Sequence, residues 1–293
     1  METTPSEEHV EDNIRTSHSR IADTYYGGIG HGVQYYDESE QAFERWEGRM
    51  FKRIFDKLFA AAPPAENALL LDAGCGNGQW LEYFHRRYGF SNFAAVDFSR
   101  EMLDVAKERM GRYPANIRYV EAKIQSIPLA DEGVDFVHIF GVMDHVVDPE
   151  GVITEAKRIL TSGGYLILNV PIRYSICHLS NLLLGISPEY WGIQPKSSWE
   201  RLRLVLDFRS KVQHYRYYSM TQVEAMIGEE FEILGRWGSS YSYAISYAGI
   251  PYRKLPAISF LLMDAYDLLC RFLSLNHSAG MYWLCRKKQP PGW

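Results

Sequence analysis

The chain has 293 residues, of which 46% are hydrophobic and 23% charged, as in an ordinary soluble globular protein with one large core. Its formal net charge of −5 disfavours DNA and RNA as default partners, although it does not exclude local basic patches. Four scattered cysteines (Cys75, Cys177, Cys270 and Cys285) give no zinc or disulfide spacing, and the polar start lacks a signal-peptide pattern, so a cytoplasmic protein is predicted.

The N-terminal part is predicted to form a cap over the core. Residues 1–13 are expected to be disordered, and residues 14–62 to form helices with a break at the glycine-rich stretch 27–32. Apolar side chains recur at helical spacing between residues 40 and 59. Pro63 and Pro64 are expected to end that helix.

An aliphatic run at residues 68–73 leads through Asp72 into Gly74-x-Gly76-x-Gly78. Such a run predicts a buried parallel strand, and the glycines allow a sharp turn that approaches a ligand closely. The stretch 78–88 has helical composition. A strand, turn and helix of this kind hold a nucleoside-like ligand at the carboxyl edge of a sheet.

The spacing of the glycines narrows the choice of ligand. Position 79, where the dinucleotide fingerprint has its third glycine, is Gln79, which excludes a dinucleotide oxidoreductase, and the Gly-Lys-Ser/Thr of a P-loop is absent. A second strand, 93–97, ends in Asp97, whose carboxylate can accept both hydroxyls of a ribose. Together with Asp72, this acid favours an adenosine that carries a positively charged tail, as in S-adenosylmethionine.

Strands and helices continue to alternate, which implies a parallel sheet with right-handed crossovers. A helix near residue 220 is predicted to begin with a capping box formed by Thr221 and Glu224. A last strand would close the sheet as an antiparallel edge. The further predicted elements are helix 99–110, strand 117–121, strand 134–140, helix 150–160, strand 165–170, strand 231–237 and strand 281–286.

Four segments resemble the motifs of the class I S-adenosylmethionine-dependent methyltransferases, in the type 11/25-like, small-molecule branch, and they occur in that family's order and spacing. They are residues 69–78, residues 96–99, residues 127–129 with 134–137, and residues 160–167. The resemblance implies a Rossmann-like α/β sheet of order 3-2-1-4-5-7-6, with strand 7 antiparallel, a helical N-terminal cap and helical insertions. The implied divisions are a core at 63–171, an insertion or lid at 172–218, and a C-terminal part at 219–293 with a helical insertion at 241–280.

The resemblance also implies the cofactor S-adenosylmethionine, its product S-adenosylhomocysteine, and a set of cofactor-binding residues. Asp72 and the first glycines would line the methionine part, Asp97 the ribose and Phe98 the adenine. The family often has an acid at the position of Lys123, which cannot accept a hydrogen bond, so the adenine contact would pass to backbone near Ile124 or to Gln125. The full set is Tyr25, Asp72, Gly74, Cys75, Gly76, Gly78, Asp97, Phe98, Lys123, Ile124 and Phe140.

Methyl transfer is an in-line displacement, and it needs a base only if the acceptor must lose a proton. His145, beside Asp144, is the candidate base; alternatively, the two residues only cap and orient their loop. The candidate acceptor-binding residues are Tyr26, Tyr35, His214 and Tyr217. No metal site is predicted.

The acceptor is predicted to be a small molecule, apolar or aromatic and anionic. The chain has 20 Tyr, 14 Phe and 7 Trp, which either fill the core or line a pocket. Residues 196–216 hold four more positive than negative charges, which indicates either a solvated helix face or a lid over an anionic acceptor. An RNA or protein acceptor, and a binding protein without turnover, remain alternatives, and the oligomeric state stays open.

The apolar stretch 257–275 is interrupted by a polar stripe of Asp264, Asp267, Arg271 and Ser274, which argues against a membrane span. It is predicted to be a helix packed on the core or, alternatively, an interfacial lid helix in peripheral contact with a membrane.

Overall fold

The structure is a computed structural model that describes residues 42–172, 218–238 and 280–289, together with the single positions 261, 264, 265, 268 and 269. The predicted disordered tail and most of the predicted cap and lid therefore lie outside the described residues.

The helices and strands follow the predicted alternation. In chain order they are α1 (Ala42–Ala61), β1 (Leu69–Ala73), α2 (Gln79–Tyr88), β2 (Asn92–Asp97), α3 (Arg100–Met110), β3 (Asn116–Glu121), β4 (Val134–Ile139), α4 (Pro149–Ile159), β5 (Leu160–Pro171), α5 (Met220–Ile227), β6 (Phe231–Gly238) and β7 (Gly280–Lys287). The boundaries agree with the predicted ones to within one or two residues, except at the start of β5.

In the described residues, seven strands form one sheet in the order β3-β2-β1-β4-β5-β7-β6. The strands from β3 to β5 pair in parallel, and β7 runs antiparallel to both β5 and β6. This confirms the predicted fold class. Because the carboxyl ends of β1, β2 and β4 meet at one edge of the sheet, the turns that follow them lie side by side.

Two details of the prediction were wrong. Strand β5 begins at Leu160 rather than at residue 165, because Leu160 already pairs with Val134 of β4. The register is irregular after this pair and becomes regular again where Tyr165 pairs with Phe136. Gly163, with φ of +80°, lies within this irregularity, where a left-handed backbone favours glycine.

The capping box of α5 is built from Ser219 and Gln222 and not from Thr221 and Glu224. The hydroxyl of Ser219 accepts the backbone N–H of Gln222 at 3.2 Å, and the side chain of Gln222 accepts the N–H of Ser219 at 2.9 Å. The helix begins at Met220, which places Thr221 inside the first turn.

Two buried clusters lie on opposite faces of the sheet. On one face, strand residues such as Leu71 and Leu168 share a cluster with Val152 of α4 and Val223 of α5. The other cluster joins the sheet to α1, α2 and α3 and is rich in aromatic rings. Those rings are Phe51, Phe55, Phe59, Trp80, Tyr83, Phe84, Phe90, Phe93, Phe136 and Tyr282.

Phe51, Phe55 and Phe59 recur every four residues along α1 and are buried. The ring of Phe55 meets those of Trp80 and Phe84 at centroid distances of 5.2 and 5.0 Å. Such pairs contribute about 0.5–1.5 kcal/mol each beyond area burial. These aromatic residues therefore fill a core, as one of the two interpretations of the aromatic content predicts.

Within 257–275, the described positions are helical and exposed. Leu261 and Leu268 are each 69% exposed, and Leu269 is 53% exposed. These positions, with Asp264, lie on one face of the helix, and that face is exposed. Asp267, Arg271 and Ser274 lie outside the described residues, so the packing of this helix on the core stays a prediction. Among the residues that the structure describes, no helix has both the length and the apolar character that crossing a membrane requires.

Candidate active site

The turn that follows β1 is held in a conformation that only glycine adopts easily. Gly74, Gly76 and Gly78 have φ angles of +80°, +50° and +75°. The N–H groups of Gly74 and Cys75 both donate to the carbonyl of Val96 in β2, at 2.7 and 2.9 Å. The glycine turn, residues 74–78, is therefore fixed to the carboxyl ends of two neighbouring strands.

The three glycines differ in what surrounds them. A Cβ at Gly74 would lie 2.4 Å from a methyl of Val142, and one at Gly78 would lie 2.9 Å from the Cβ of Ala106. A Cβ at Gly76 would meet no atom of the described residues within 4 Å. Gly74 and Gly78 are thus required by packing, whereas a side chain at Gly76 would project into space that the described residues leave open.

Asp97 is tied directly to this turn. Its carboxylate is buried and accepts the N–H of Gly76 through Oδ2 and that of Ser99 through Oδ1, both at 2.9 Å. The hydroxyl of Ser99 in turn caps α3 by accepting the N–H of Met102 at 3.3 Å. A carboxylate has about four acceptor positions, so these bonds fix its orientation and remain compatible with hydroxyl donors from a ribose.

Asp72 lies behind the turn, in a buried pair. Its Oδ1 is 2.8 Å from Nδ1 of His138, the residue opposite it on β4, and the two side chains are 1% and 0% exposed. Neither Oδ2 of Asp72 nor Nε2 of His138 finds a hydrogen-bond partner among the described residues. The rings around His138, with centroids 4.9 to 6.2 Å away, are those of Phe55, Trp80, Phe84 and Phe140.

The pairing of Asp72 with His138 was not predicted from the sequence. Each is a polar residue within an otherwise apolar strand, and the two lie opposite each other in the register of β1 and β4. Aligning these two strand sequences could have indicated the pair. The side chain of Asp72 is thus fixed near the end of β1, two residues before the glycine turn begins. Its contact with the methionine part of the cofactor stays a prediction.

Cys75 is buried in the glycine turn. Its burial, and then the nearby carboxylates of Asp97 and Asp72, raise the pKa of the Cys75 thiol well above its usual value. The thiol therefore stays protonated near neutral pH, which agrees with a small side chain at a crowded turn rather than with a nucleophile.

The remaining described members of the cofactor-binding set lie on the loops after β2, β3 and β4. Phe98 and Phe140 are half-buried, and Phe140 stacks on His138 with an angle of 8° between the rings. Ile124 is buried and Lys123 is exposed. The backbone near Ile124 therefore stays the predicted partner of an adenine edge.

The loop after β4 carries the candidate base. The N–H of His145 donates to the carbonyl of Val142 at 2.9 Å, which closes a tight turn. The His145 ring is 16% exposed, and its Nε2 lies 3.5 Å from Oδ2 of Asp144, a carboxylate with 2% exposure. This arrangement is compatible both with a base that faces the site and with a pair that orients the loop.

Tyr218, which was not predicted from the sequence as a site residue, connects this loop to the end of β5. Its hydroxyl is buried and donates to the carbonyl of Met143 at 2.8 Å, and its N–H donates to that of Pro171 at 3.3 Å. The loop is thereby fixed to the end of β5.

Tyr25, Tyr26, Tyr35, His214 and Tyr217 lie outside the described residues. Within the described part of the chain, no group of three or more His, Cys, Asp or Glu side chains is arranged to hold a metal ion.

Comparison with known proteins agrees with this geometry. A family model described as a methyltransferase domain matches residues 71–168. The malonyl-[acyl-carrier protein] O-methyltransferase of Marinomonas sp. (strain MWYL1) is 27% identical over 151 residues, which cover 52% of this chain and 55% of that protein. The likeness thus spans about half of that relative.

Two solved structures share the fold over most of the chain. The S-adenosylmethionine dependent methyltransferase of Mesorhizobium loti has a TM-score of 0.51 and 16% identity, and the match covers 80% of this chain and 97% of that one. The geranyl diphosphate C-methyltransferase of Streptomyces coelicolor A3(2) has a TM-score of 0.55 and 17% identity, with 98% and 100% covered. With the strand order, these matches show that residues 71–168 form a methyltransferase domain and that the sheet has the Rossmann-like fold of the class I methyltransferases.

Proposed function

We propose that the protein transfers a methyl group from S-adenosylmethionine to a small-molecule acceptor. The observation that carries the proposal is at Gly76, where a Cβ would meet no atom of the described residues and where the N–H donates to the buried carboxylate of Asp97. When bound, S-adenosylmethionine supplies an electrophilic methyl group on a positively charged sulfur.

The chain's own residues would bind and orient this cofactor. Gly76 allows the backbone to come close to the ligand, and Asp97 would accept the ribose hydroxyls while keeping the turn in place. Asp72 would add negative charge beneath the turn, which favours a cationic ligand and opposes a phosphate.

The proposed acceptor carries an apolar or aromatic part and an anionic group. The names of two similar proteins support an anionic acceptor, since one is named for malonyl-[acyl-carrier protein] and the other for geranyl diphosphate. The positive surplus of residues 196–216 is compatible with such an acceptor.

His145 has a defined task only for an acceptor that must lose a proton. Its partly exposed ring follows β4 at the same sheet edge as the glycine turn, and Asp144 lies beside it. For a hydroxyl or carbon acid acceptor we propose that His145 takes the proton; for a carboxylate acceptor no base is required.

A transfer assay tests the proposal. Purified full-length protein would be incubated with S-adenosylmethionine tritiated at the methyl group and with separate pools of prenyl diphosphates, acyl thioesters, quinols, RNA and protein. Label in a small-molecule pool, lost in Asp97→Ala and retained in Asp104→Asn, is the expected result; Asp104 is an exposed acid on α3. Label only in RNA or protein would contradict the acceptor class, and cofactor binding without label in any pool would favour a binding protein.

A further inference from the structure

Helix α3 packs against the glycine turn at Gly78. The backbone at Gly78 packs on Ala106, so closely that a Cβ at Gly78 would lie 2.9 Å from that of Ala106. Next to this contact, Nε of Arg109 donates to the carbonyl of Asn77 at 2.9 Å. That carbonyl lies between Gly76 and Gly78, so its position sets the orientation of the turn.

Arg109 is itself held by a buried acid on the neighbouring helix. Its Nη1 lies 3.0 Å from Oε2 of Glu82 in α2, and the two side chains are 12% and 4% exposed. Glu82 also accepts from Arg112 at 2.9 Å and from the hydroxyl of Tyr113. The carboxylate of Glu82 thus has donors on both oxygens, as a buried charge requires.

The two arginines differ in one respect that matters for the turn. Both bind Glu82, but only Arg109 has a hydrogen bond to the glycine turn, and Arg112 is 65% exposed. The planar fork of a guanidinium can bind a carboxylate and a carbonyl at once, which the single ammonium of a lysine does less well. Arg109 therefore connects α2, α3 and the turn through one rigid group.

We propose that Arg109 is a positioning residue for the cofactor. Its guanidinium binds Glu82 and donates to the carbonyl of Asn77, and these two bonds together keep the glycine turn in the conformation that binds the cofactor. The inference rests on the proposed function, because it assigns the turn to S-adenosylmethionine. It goes beyond the motif residues, since Arg109 lies outside the turn and acts through Asn77, whose side chain is buried and accepts the N–H of Gln79 at 3.3 Å.

The test compares Arg109→Met with Arg112→Met, because both remove a cation from Glu82 and only the first removes a bond to the turn. Affinity for S-adenosylhomocysteine would be measured by calorimetry at a temperature at which both variants are folded. We expect Arg109→Met to raise Kd about 10-fold and Arg112→Met to change it less than about 2-fold. Equal changes in the two variants, or unchanged affinity in Arg109→Met, would overturn the proposal.

Amide hydrogen exchange of the ligand-free protein separates this inference from the proposed function. Arg109→Met should accelerate exchange at residues 74–79 relative to Arg112→Met, while peptides from β7 keep the rate of the unmodified protein. Unchanged exchange at residues 74–79, or acceleration spread evenly over the whole chain, would contradict the positioning role. If the unmodified protein did not bind S-adenosylhomocysteine, the proposed function would fail, and the exchange data would still decide whether Arg109 orders the turn.

Discussion

Asp72 and His138 form a hydrogen bond of 2.8 Å between neighbouring strands, with both side chains fully buried. The pair lies beneath the glycine turn and within a shell of aromatic rings. Because Nδ1 of His138 donates to an acid that would otherwise lack a partner among the described side chains, the histidine keeps the carboxylate of Asp72 in place.

This relationship predicts different effects for two substitutions. His138→Leu leaves a buried carboxylate without its donor and should lower the free energy of unfolding by about 2–4 kcal/mol. Asp72→Asn preserves an acceptor for the Nδ1–H group of His138. It should lower the free energy of unfolding by less than about half of the loss expected for His138→Leu. Urea unfolding followed by circular dichroism measures both, and losses of equal size would show that the hydrogen bond is not what stabilises this site.

Gly76 and Gly89 provide a matched pair for testing the ligand space. Both have a left-handed backbone, with φ of +50° and +74°, and a Cβ at either position would meet no atom within 4 Å in the part of the chain that the structure describes. Alanine at either position should therefore destabilise the fold by about 1–2 kcal/mol through backbone strain. Only Gly76→Ala should weaken S-adenosylhomocysteine binding, by about 10-fold or more, as measured by calorimetry. Equal affinities in the two variants would mean that the ligand does not approach Gly76.

The role of His145 can be decided once an acceptor is known. If His145 is the base, His145→Gln should lower kcat by about 10²-fold or more and leave Kd for S-adenosylhomocysteine within about 2-fold of the unmodified value. Single-turnover kinetics with tritiated cofactor measures the chemical step. A rate near that of the unmodified protein would leave His145 and Asp144 as residues that orient the loop.

Glu155 predicts a pH dependence of stability. It is buried, accepts the N–H of Ile127 at 2.5 Å and binds the guanidinium of Arg158 at 2.7 Å. Hydrogen bonding from Arg158 lowers the pKa of Glu155 below its usual value. A carboxyl whose pKa is lower in the folded state stabilises the protein above its unfolded pKa, and this contribution is lost as the pH falls through the folded value.

Glu155→Gln should therefore lower the free energy of unfolding by about 1–2 kcal/mol at pH 7, with a difference that shrinks as the pH falls below about 4. Urea denaturation at several pH values measures this. The control is Glu150→Gln, an exposed residue in the first turn of α4, with an expected effect below about 0.5 kcal/mol. A difference for Glu155→Gln that does not change with pH would contradict the assignment.

The sequence predicted the parts of the fold and site that depend on local pattern. The glycine turn could be found because it directly follows the apolar run of β1. Asp97 could be found because it ends the next apolar run along the chain. The bonds of Asp72 with His138 and of Glu82 with Arg109 could not, because each joins residues far apart in the chain and depends on strand register or helix packing. The capping box of α5 was misplaced because Ser219 and Thr221 each have an acceptor side chain three residues later, and only the structure shows which residue precedes the helix.

Calorimetric titration of the purified protein with S-adenosylhomocysteine, alongside Asp97→Ala and Asp104→Asn, tests the central claim most directly. We expect one site per chain in the unmodified protein and in Asp104→Asn, and a loss of about 1–3 kcal/mol of binding free energy in Asp97→Ala. An absence of binding to the unmodified protein, or an affinity that Asp97→Ala leaves unchanged, would contradict the assignment of this sheet edge to the cofactor.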